Sequence, residues 1–197
     1  IQRNTHCAPE LLLRHQTRGA CHQAELQLCN ERGTPAPLAE PVYCSFVRII
    51  GGKYKGRLIQ PPSGFTARPT TDFAREGLMN ILNNRYDFQS VSVLDLFSGT
   101  GAIGYEFASR GTTDIDLVEI NSLHCRFISN TVRKLGISSI KVHHIDVKKW
   151  TEICHKKYDI IFADPPYDLP WLREIPDMIL QSDMLLNEAL LIVEHPK

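Results

Sequence analysis

The tetrapeptide Asp164-Pro165-Pro166-Tyr167 follows an apolar run, Tyr158 to Ala163, and combines hydrogen-bond acceptors with a rigid backbone and an aromatic ring. The Asp164 carboxylate and the Pro165 carbonyl can each accept one hydrogen of an aromatic amine, freeing a lone pair that is otherwise delocalised into the ring. The two prolines fix φ and so hold both acceptors rigidly. Tyr167 offers a face on which a base can stack, an interaction worth ~1–3 kcal/mol. The pattern predicts activation of an exocyclic amine on a nucleic-acid base, and a proline-rich turn without chemistry is the alternative.

A glycine-containing turn, Asp95 to Gly104, is predicted between a buried strand and the helix that follows it. Its three glycines lack side chains, so a ligand can approach the backbone and the helix can pack closely on the strand. Glu119 closes the next predicted strand, where its carboxylate can accept hydrogen bonds from ribose hydroxyls. By itself this pattern fits NAD, FAD or S-adenosylmethionine, and a glycine-rich turn without a ligand is the alternative.

Two carboxylates favour S-adenosylmethionine over a dinucleotide. Asp95 ends its strand shortly before the first glycine, where it would attract the ammonium group of that cofactor and repel a pyrophosphate. Asp146 ends the third strand, where it either accepts the adenine amino group or only caps the helix that starts at Val147. We therefore predict S-adenosylmethionine as cofactor, no metal, and these cofactor-binding residues: Asp95, Phe97, Ser98, Gly99, Thr100, Gly101, Glu119, Asn121, Asp146 and Val147.

These residues have to be positioned by the elements from Val91 onwards, where apolar strands alternate with amphipathic helices. Such alternation predicts an α/β fold with a parallel sheet covered on both faces. The predicted strands are Val91 to Phe97, Asp114 to Ile120, Ile140 to Ile145, Tyr158 to Ala163 and Ala189 to Glu194. The predicted helices run from Thr71 or Asp72 to about Asn83, from about Ala102 to Arg110, from Ser122 to Leu135, from Val147 to Ile153 and near Trp171 to Leu180.

Two short extended runs, Val47 to Ile50 and Lys53 to Ile59, surround a Gly51-Gly52 pair and predict a β-hairpin. The segment from Val47 to Arg75 carries six basic residues against one acid, Asp72, an excess typical of contact with nucleic-acid phosphates. A solvated edge strand is the alternative interpretation, and Arg75 could equally lie on a helix surface. The predicted RNA-binding residues are Arg48, Lys53, Lys55, Arg57, Arg68 and Arg75.

The overall composition is that of a globular protein of 197 residues, with 22 basic and 22 acidic side chains. Because the formal net charge is zero, a nucleic-acid partner has to be sought in local patches. No apolar run approaches the ~18 residues that a membrane span needs, and no secretory signal is evident. We therefore expect a cytoplasmic protein whose six cysteines are free thiols.

Residues 1–45 do not follow the pattern of the remainder, since no hydrophobic period persists through them. We interpret them as a poorly ordered extension or as translated sequence upstream of the true start, with an extra module as the third interpretation. The predicted organisation is this extension, a basic hairpin over residues 46–70 and an α/β domain over residues 71–197.

From about Val47 to Lys197 the sequence resembles the RsmD family of small-subunit ribosomal RNA (guanine-N2)-methyltransferases. Two motifs alone, Asp95 to Gly104 and Asp164 to Tyr167, would indicate only an amino-methyltransferase. The family is indicated by two others, Arg48 to Arg57 and Arg68 to Asp72. The resemblance implies a Rossmann-like class I methyltransferase fold and methylation of one guanine N2 in 16S ribosomal RNA. It also implies a bacterial small subunit, or its assembly intermediate, as substrate, and we expect a monomer.

The sequence departs from the family at both ends. It stops at Lys197, just after the fifth strand, whereas the family continues into a C-terminal β-hairpin, so we expect the C-terminal strands to be missing. Residues 1–45 have no counterpart in the family.

Three alternative functions stay open at this point. An adenine-N6 DNA methyltransferase would use the same tetrapeptide for a different amine. A non-catalytic RNA-binding assembly factor would keep the fold without the reaction. A nicotinamide-dependent oxidoreductase is disfavoured by Asp95 and by the Asp164 to Tyr167 turn.

Overall fold

A computed structural model of the chain describes residues 46–62, 65 and 70–196. The predictions for residues 1–45 and for Arg68 therefore lie outside the described residues. Seven strands are described, β1 (Val47–Arg48), β2 (Leu58–Ile59), β3 (Ser92–Leu96), β4 (Asp114–Glu119), β5 (Ile140–His144), β6 (Tyr158–Ala163) and β7 (Leu185–Val193). The helices are α1 (Asp72–Asn83), α2 (Ala102–Ser109), α3 (Ser122–Leu135), α4 (Val147–Ile153) and α5 (Ile175–Leu180), with a 3₁₀ turn at Leu172–Glu174 before α5.

The main sheet has the order β5-β4-β3-β6-β7, and all of its neighbouring strands are parallel. After β3 the chain builds β4 and β5 on one side of that strand and then returns to build β6 and β7 on the other. The reversal of strand order beside β3 is the point where open α/β sheets bind ligands, beyond the carboxyl ends of the strands. The predicted Rossmann-like parallel sheet is confirmed.

Helices cover both faces of this sheet, so β3 is buried on each side. Val93 packs in a core that also contains Leu78 of α1 and Ile128 of α3. Leu94 packs in a second core on the opposite face with Ile175 of α5. This alternation follows from the two-residue repeat of a strand, and it directs the Asp95 side chain to the same face as Val93.

Two predicted elements near the C-terminus differ from the structure. The helix predicted near Trp171 to Leu180 is divided into the 3₁₀ turn and α5, because Pro176 has no N–H to donate to the carbonyl one turn earlier. The last strand begins at Leu185 rather than Ala189, and its pairing with β6 is irregular between Tyr158 and Ile160. Glu188 has a φ of 65°, which marks a bulge that the sequence pattern did not show.

The cysteines agree with the prediction as far as the structure reaches. Cys125 and Cys154, the two cysteines within the described part of the chain, are both free. No helix among the described residues is long and apolar enough to cross a bilayer.

The predicted hairpin is present, but its connection is longer than the Gly51-Gly52 pair. Pairing between β1 and β2 continues through Ile49, whose N–H donates to the Arg57 carbonyl over 3.0 Å and whose carbonyl accepts from the Gly56 N–H over 2.8 Å. The connection therefore spans residues 50–55, and its turn starts at Gly52, whose carbonyl accepts from the Lys55 N–H over 3.2 Å. The glycine pair also brings the hairpin into a contact outside itself.

That contact is with the C-terminal end of α2. The N–H groups of Lys53 and Tyr54 donate to the carbonyl and the hydroxyl of Ser109, over 2.6 Å and 2.9 Å. Gly52 has a φ of +73°, and a Cβ there would lie 1.9 Å from the Ser109 carbonyl oxygen. Only glycine fits this position, so the glycine pair fixes how the hairpin packs against the sheet.

Replacing Gly52 with alanine should therefore lower the free energy of unfolding more than replacing Gly56. Gly56 also has a positive φ, +81°, but a Cβ there would meet nothing within 4 Å, so Gly56→Ala measures conformational strain alone, ~1–2 kcal/mol. Gly52→Ala should cost about 1–3 kcal/mol more, because two hydrogen bonds to Ser109 are also lost. Urea unfolding of both variants measures the difference, and equal costs would contradict the proposed role of Gly52.

Candidate functional site

Four carboxylates meet at the carboxyl edge of the sheet, contributed by four neighbouring strands. Asp95 and Glu119 lie at the ends of β3 and β4, while Asp164 and Glu194 directly follow β6 and β7. We call these four residues the acidic edge. Within the described part of the chain, no group of three His, Cys, Asp or Glu side chains is arranged to hold a metal ion. The negative charge at this edge favours a cationic ligand.

Asp95 is the least satisfied member of the acidic edge. Its side chain is 1% exposed, and neither carboxylate oxygen has a hydrogen-bond partner among the described residues. Burial raises the pKa of Asp95 well above its ordinary value, and the nearby charges of Asp164 and Glu119 raise it further. An ionised, buried carboxylate without hydrogen-bond partners is costly unless a cation or a donor reaches it. Asp95 therefore fits the ammonium group of a ligand.

The glycine turn after β3 has an unusual backbone. Phe97, Gly99 and Gly101 all have positive φ, of 64°, 52° and 77°. The Ser98 hydroxyl is committed within the protein, since it donates to the carbonyls of Asp95 and Val118 over 2.7 Å and 3.2 Å. The strain at Phe97, a non-glycine residue, is stored beside the acidic edge, where such outliers point to function.

The glycines of this turn serve the packing of α2 as well. A Cβ at Gly104 would lie 2.7 Å from the Leu117 side chain, so the predicted close approach of helix and strand is confirmed. A Cβ at Gly101 would lie 3.0 Å from the Tyr105 ring and 3.2 Å from Ile128. Gly101 therefore makes room for core side chains, and its contact with a cofactor stays a prediction.

Glu119 connects three segments of the site. One of its carboxylate oxygens accepts from the Gly99 N–H over 2.8 Å, and the other accepts from the Asn121 N–H over 2.7 Å. The Asn121 side chain in turn caps α3 by accepting from the Leu123 N–H over 2.9 Å. Glu119 thus holds the glycine turn in place, and each of its oxygens keeps a further lone pair for a ribose hydroxyl.

Asp146 caps α4, which was one of the two roles considered for it. One carboxylate oxygen accepts from the N–H groups of Lys148 and Lys149, over 2.9 Å and 3.3 Å. The next residue, Val147, is buried in the core beneath α4. The cap fixes the orientation of the Asp146 side chain at the edge of the sheet. Its contact with an adenine amino group stays a prediction.

The tetrapeptide after β6 turns from the interior to the surface. Pro165 is buried, Pro166 and Tyr167 are exposed, and Asp164 lies between these extremes. The Thr70 hydroxyl donates to Asp164 over 3.4 Å, which links the segment before α1 to the tetrapeptide. The Tyr167 hydroxyl donates to the Glu194 carboxylate over 3.1 Å.

The surroundings of Asp164 change its acidity. Burial raises the pKa of Asp164 to about 7, the neighbouring charge of Glu194 adds to that rise, and the hydrogen bond from Thr70 opposes it. A carboxyl with this pKa changes its protonation state near neutral pH, which suits a group that accepts hydrogens from a substrate.

Thr70 and Glu194 were not among the predicted site residues. Thr70 lies within the Arg68 to Asp72 motif, and Glu194 follows its strand as Asp164 follows β6. That shared position at a strand end was the signal available in the sequence. Their contacts with Asp164 and Tyr167 depend on tertiary structure.

The predicted RNA-binding residues fall into two groups. Four of them are exposed on the hairpin, Arg48, Lys53, Lys55 and Arg57. The prediction was wrong for Arg75, which is 1% exposed, forms an ion pair with Asp72 and donates to the Arg48 carbonyl over 3.1 Å. Arg75 points inward from α1 and ties it to the hairpin, so it cannot reach a phosphate.

The hairpin extends away from the acidic edge. Helix α2 starts at the carboxyl edge, and its eight residues span roughly 12 Å before they meet the loop that carries Lys53. Lys53 and Lys55 therefore lie towards the opposite edge of the sheet. At the other end of the hairpin, Arg48 forms an ion pair with Asp72 of α1 over 2.7 Å. The exposed basic residues thus form a track that leads away from the tetrapeptide.

Comparison with known proteins places this geometry in a family. A family model described as "Conserved hypothetical protein 95" matches residues 47–197. The ribosomal RNA small subunit methyltransferase D of Buchnera aphidicola subsp. Baizongia pistaciae is 34% identical over 149 residues, which cover 76% of each chain. The Escherichia coli (strain K12) protein of the same name is 30% identical over 148 residues, covering 75% of this chain and 74% of that protein.

Solved structures agree with this comparison. One solved structure is described as "Putative methyltransferase yhhF from Escherichia coli". It superposes on this chain with a TM-score of 0.69 at 30% identity, and the match covers 77% of this chain and 82% of that one. The Thermus protein TTHA0928 superposes with a TM-score of 0.64 at 30% identity, covering 71% and 80%.

The two neighbours of Asp164 should move its pKa in opposite directions. Glu194→Gln removes a negative charge and should lower the pKa of Asp164 below about 7, whereas Thr70→Val removes a donor and should raise it. Carboxyl ¹³C NMR titration of the ligand-free protein measures both shifts, with Asp164→Asn assigning the resonance. Shifts in the same direction, or no shift in either variant, would contradict this account of the site.

Proposed function

This chain belongs to the RsmD family, and from that premise we propose that it transfers a methyl group from S-adenosylmethionine to the N2 amine of one guanine in 16S ribosomal RNA. The observation that carries the proposal is the position of the Asp164 to Tyr167 tetrapeptide beside a buried, unpartnered carboxylate, Asp95. One group suits an aromatic amine and the other suits a cationic cofactor. The names of the methyltransferase D relatives support the choice of ribosomal RNA.

Two residues of the acidic edge, together with Asp146, fit the cofactor. S-Adenosylmethionine supplies a methyl group activated by a sulfonium charge. Asp95 would pair with its ammonium group, Glu119 would accept from its ribose hydroxyls, and Asp146 would accept from its adenine. The backbone from Phe97 to Gly101 would pass close to the ligand, as its positive φ values allow. The net negative charge of the edge favours both positive charges of the ligand.

The tetrapeptide would act on the substrate amine. The Asp164 carboxylate and the Pro165 carbonyl would each accept one N–H, directing the nitrogen lone pair towards the methyl group. Formation of the N–C bond would break the bond between the methyl group and sulfur and leave a neutral thioether. Asp164 would take the proton that the nitrogen releases. Tyr167 would stack on the base, while its hydroxyl stays bound to Glu194. Alignment of this kind is worth up to ~7–11 kcal/mol in well-oriented systems.

The RNA would bind along the hairpin. Arg48, Lys53, Lys55 and Arg57 are exposed and can neutralise phosphates while the target base is turned out of its surroundings into the site. We propose the small subunit, or an intermediate in its assembly, as the substrate, and a monomer in the cytoplasm as the working form.

Asp95→Asn should separate cofactor binding from stability. The folded-state pKa of Asp95 is raised, so ionisation of this carboxyl lowers the free energy of unfolding as the pH rises above about 4. The asparagine variant, which cannot ionise, should therefore be at least as stable as the wild type at pH 7.5 when no ligand is bound. Loss of the charge-assisted contact should weaken S-adenosylmethionine binding by about tenfold or more. Urea unfolding and calorimetry measure the two effects.

A matched control for this variant is Asp159→Asn. Asp159 accepts from the Ser92 N–H over 2.8 Å and from the Ser92 hydroxyl over 2.7 Å, at the amino edge of the same sheet. That variant should lose stability and keep cofactor affinity. Unchanged affinity in Asp95→Asn would remove Asp95 from the cofactor site.

The reaction itself is tested by transfer of labelled methyl from S-adenosylmethionine to unmethylated small ribosomal subunits, with naked DNA alongside. Nucleoside analysis should find N2-methylguanine in RNA. Asp164→Ala should lower turnover by about 10²–10⁴, while cofactor affinity is preserved. Label in DNA adenine would keep the reaction but overturn the substrate, and absence of both label and cofactor binding would overturn the proposal.

A further inference from the structure

We propose that Phe73 is an RNA-contacting residue that stacks on a base next to the methylated nucleotide, an inference that rests on the proposed function. Phe73 lies in the first turn of α1 and is 86% exposed, which is unusual for a phenylalanine. Phe73 does not belong to either hydrophobic core of the fold.

The helical repeat shows that Phe73 is on the wrong face of α1 for packing. Its neighbours on that face, three, four and seven residues later, are Glu76, Gly77 and Asn80, and all three are exposed. The buried face of α1 consists instead of Arg75, Leu78, Met79 and Leu82. A polar residue would be expected at position 73, so packing of the helix does not account for the aromatic ring.

The position of Phe73 places it beside the proposed reaction. Thr70, three residues earlier, donates its hydroxyl to Asp164 over 3.4 Å. Three residues span at most about 11 Å, which corresponds to about three stacked bases at ~3.4 Å each. A ring at this distance can reach a nucleotide that flanks the one held by Asp164 and Pro165.

The charges around Phe73 favour RNA as the occupant of this surface. The adjacent Asp72 is neutralised by Arg48 and Arg75, so it does not repel phosphates. Arg48 begins the basic track of the hairpin, and Glu76 is the remaining acid on the exposed face of α1. When the target base leaves its stack, its neighbour loses a partner, and an exposed aromatic ring can replace that partner.

The test compares Phe73→Ala, Phe73→Leu and Phe73→Trp in the full chain, using unmethylated small subunits as the probe. Phe73→Ala should raise the KM for subunits about tenfold, with cofactor affinity and melting temperature unchanged. Phe73→Trp should keep the wild-type KM for subunits, whereas Phe73→Leu should raise it as Phe73→Ala does, because stacking needs a flat ring. Ile153→Ala is the matched control, since Ile153 is 58% exposed at the end of α4, away from the carboxyl edge, and its loss should change none of these values.

The proposal would be overturned by an unchanged KM in Phe73→Ala, or by a wild-type KM in Phe73→Leu. Direct binding of subunits by the wild type and by Phe73→Ala, measured by co-sedimentation without turnover, decides the contact even if no methyl group is transferred. If no methyl group is transferred, the proposed function is wrong, but a tenfold weaker binding of subunits by Phe73→Ala would still support the RNA contact. Equal binding by both proteins, or concentration-dependent self-association abolished by Phe73→Ala, would overturn it.

Discussion

Repulsion between carboxylates is the constraint around which the acidic edge is built. A parallel sheet brings the ends of neighbouring strands to one place, and here Asp95, Glu119, Asp164 and Glu194 arrive together. The fold offsets their charges unequally. Glu119 receives two backbone N–H groups, Asp164 receives one hydroxyl, and Asp95 has no hydrogen-bond partner among the described residues. Because only Asp95 is both fully buried and unsatisfied, the edge has one preferred place for a positive charge.

The scaffold around the edge relies on two buried charged side chains, each of which forms an ion pair. Glu106 of α2 is 0% exposed, accepts from the Ile50 N–H over 2.8 Å and forms an ion pair with Arg110. Arg75 plays the corresponding part for α1 through its contacts with Asp72 and the Arg48 carbonyl. Removal of one partner from such a pair leaves an uncompensated buried charge, so both contacts fix the hairpin firmly relative to the helices. The basic track therefore has a defined direction relative to the tetrapeptide.

The sequence predicted those features that depend on local chemistry. The predicted bounds of α3, Ser122 to Leu135, are confirmed, and the structure shows their local cause, an N-cap at Asn121 and a left-handed Gly136 at the C-terminal end. The sheet followed from apolar runs that are buried on both faces. The role of Gly52, the burial of Arg75 and the contacts of Glu194 could not be predicted, because each depends on a residue far along the chain. The Gly51-Gly52 pair has the same local pattern whether or not it packs against Ser109.

The proposed cofactor and the proposed base-activating group are coupled through the same electrostatics. The charge of Asp164 raises the pKa of Asp95, so the two carboxylates oppose each other's ionisation in the ligand-free protein. A positively charged ligand at the acidic edge would favour the ionised form of Asp164, whose pKa is raised by burial and by the charge of Glu194. Only the ionised carboxylate can accept an N–H without donating a hydrogen of its own. Under the proposed function, cofactor binding would therefore favour the form of Asp164 that accepts the hydrogens of the amine.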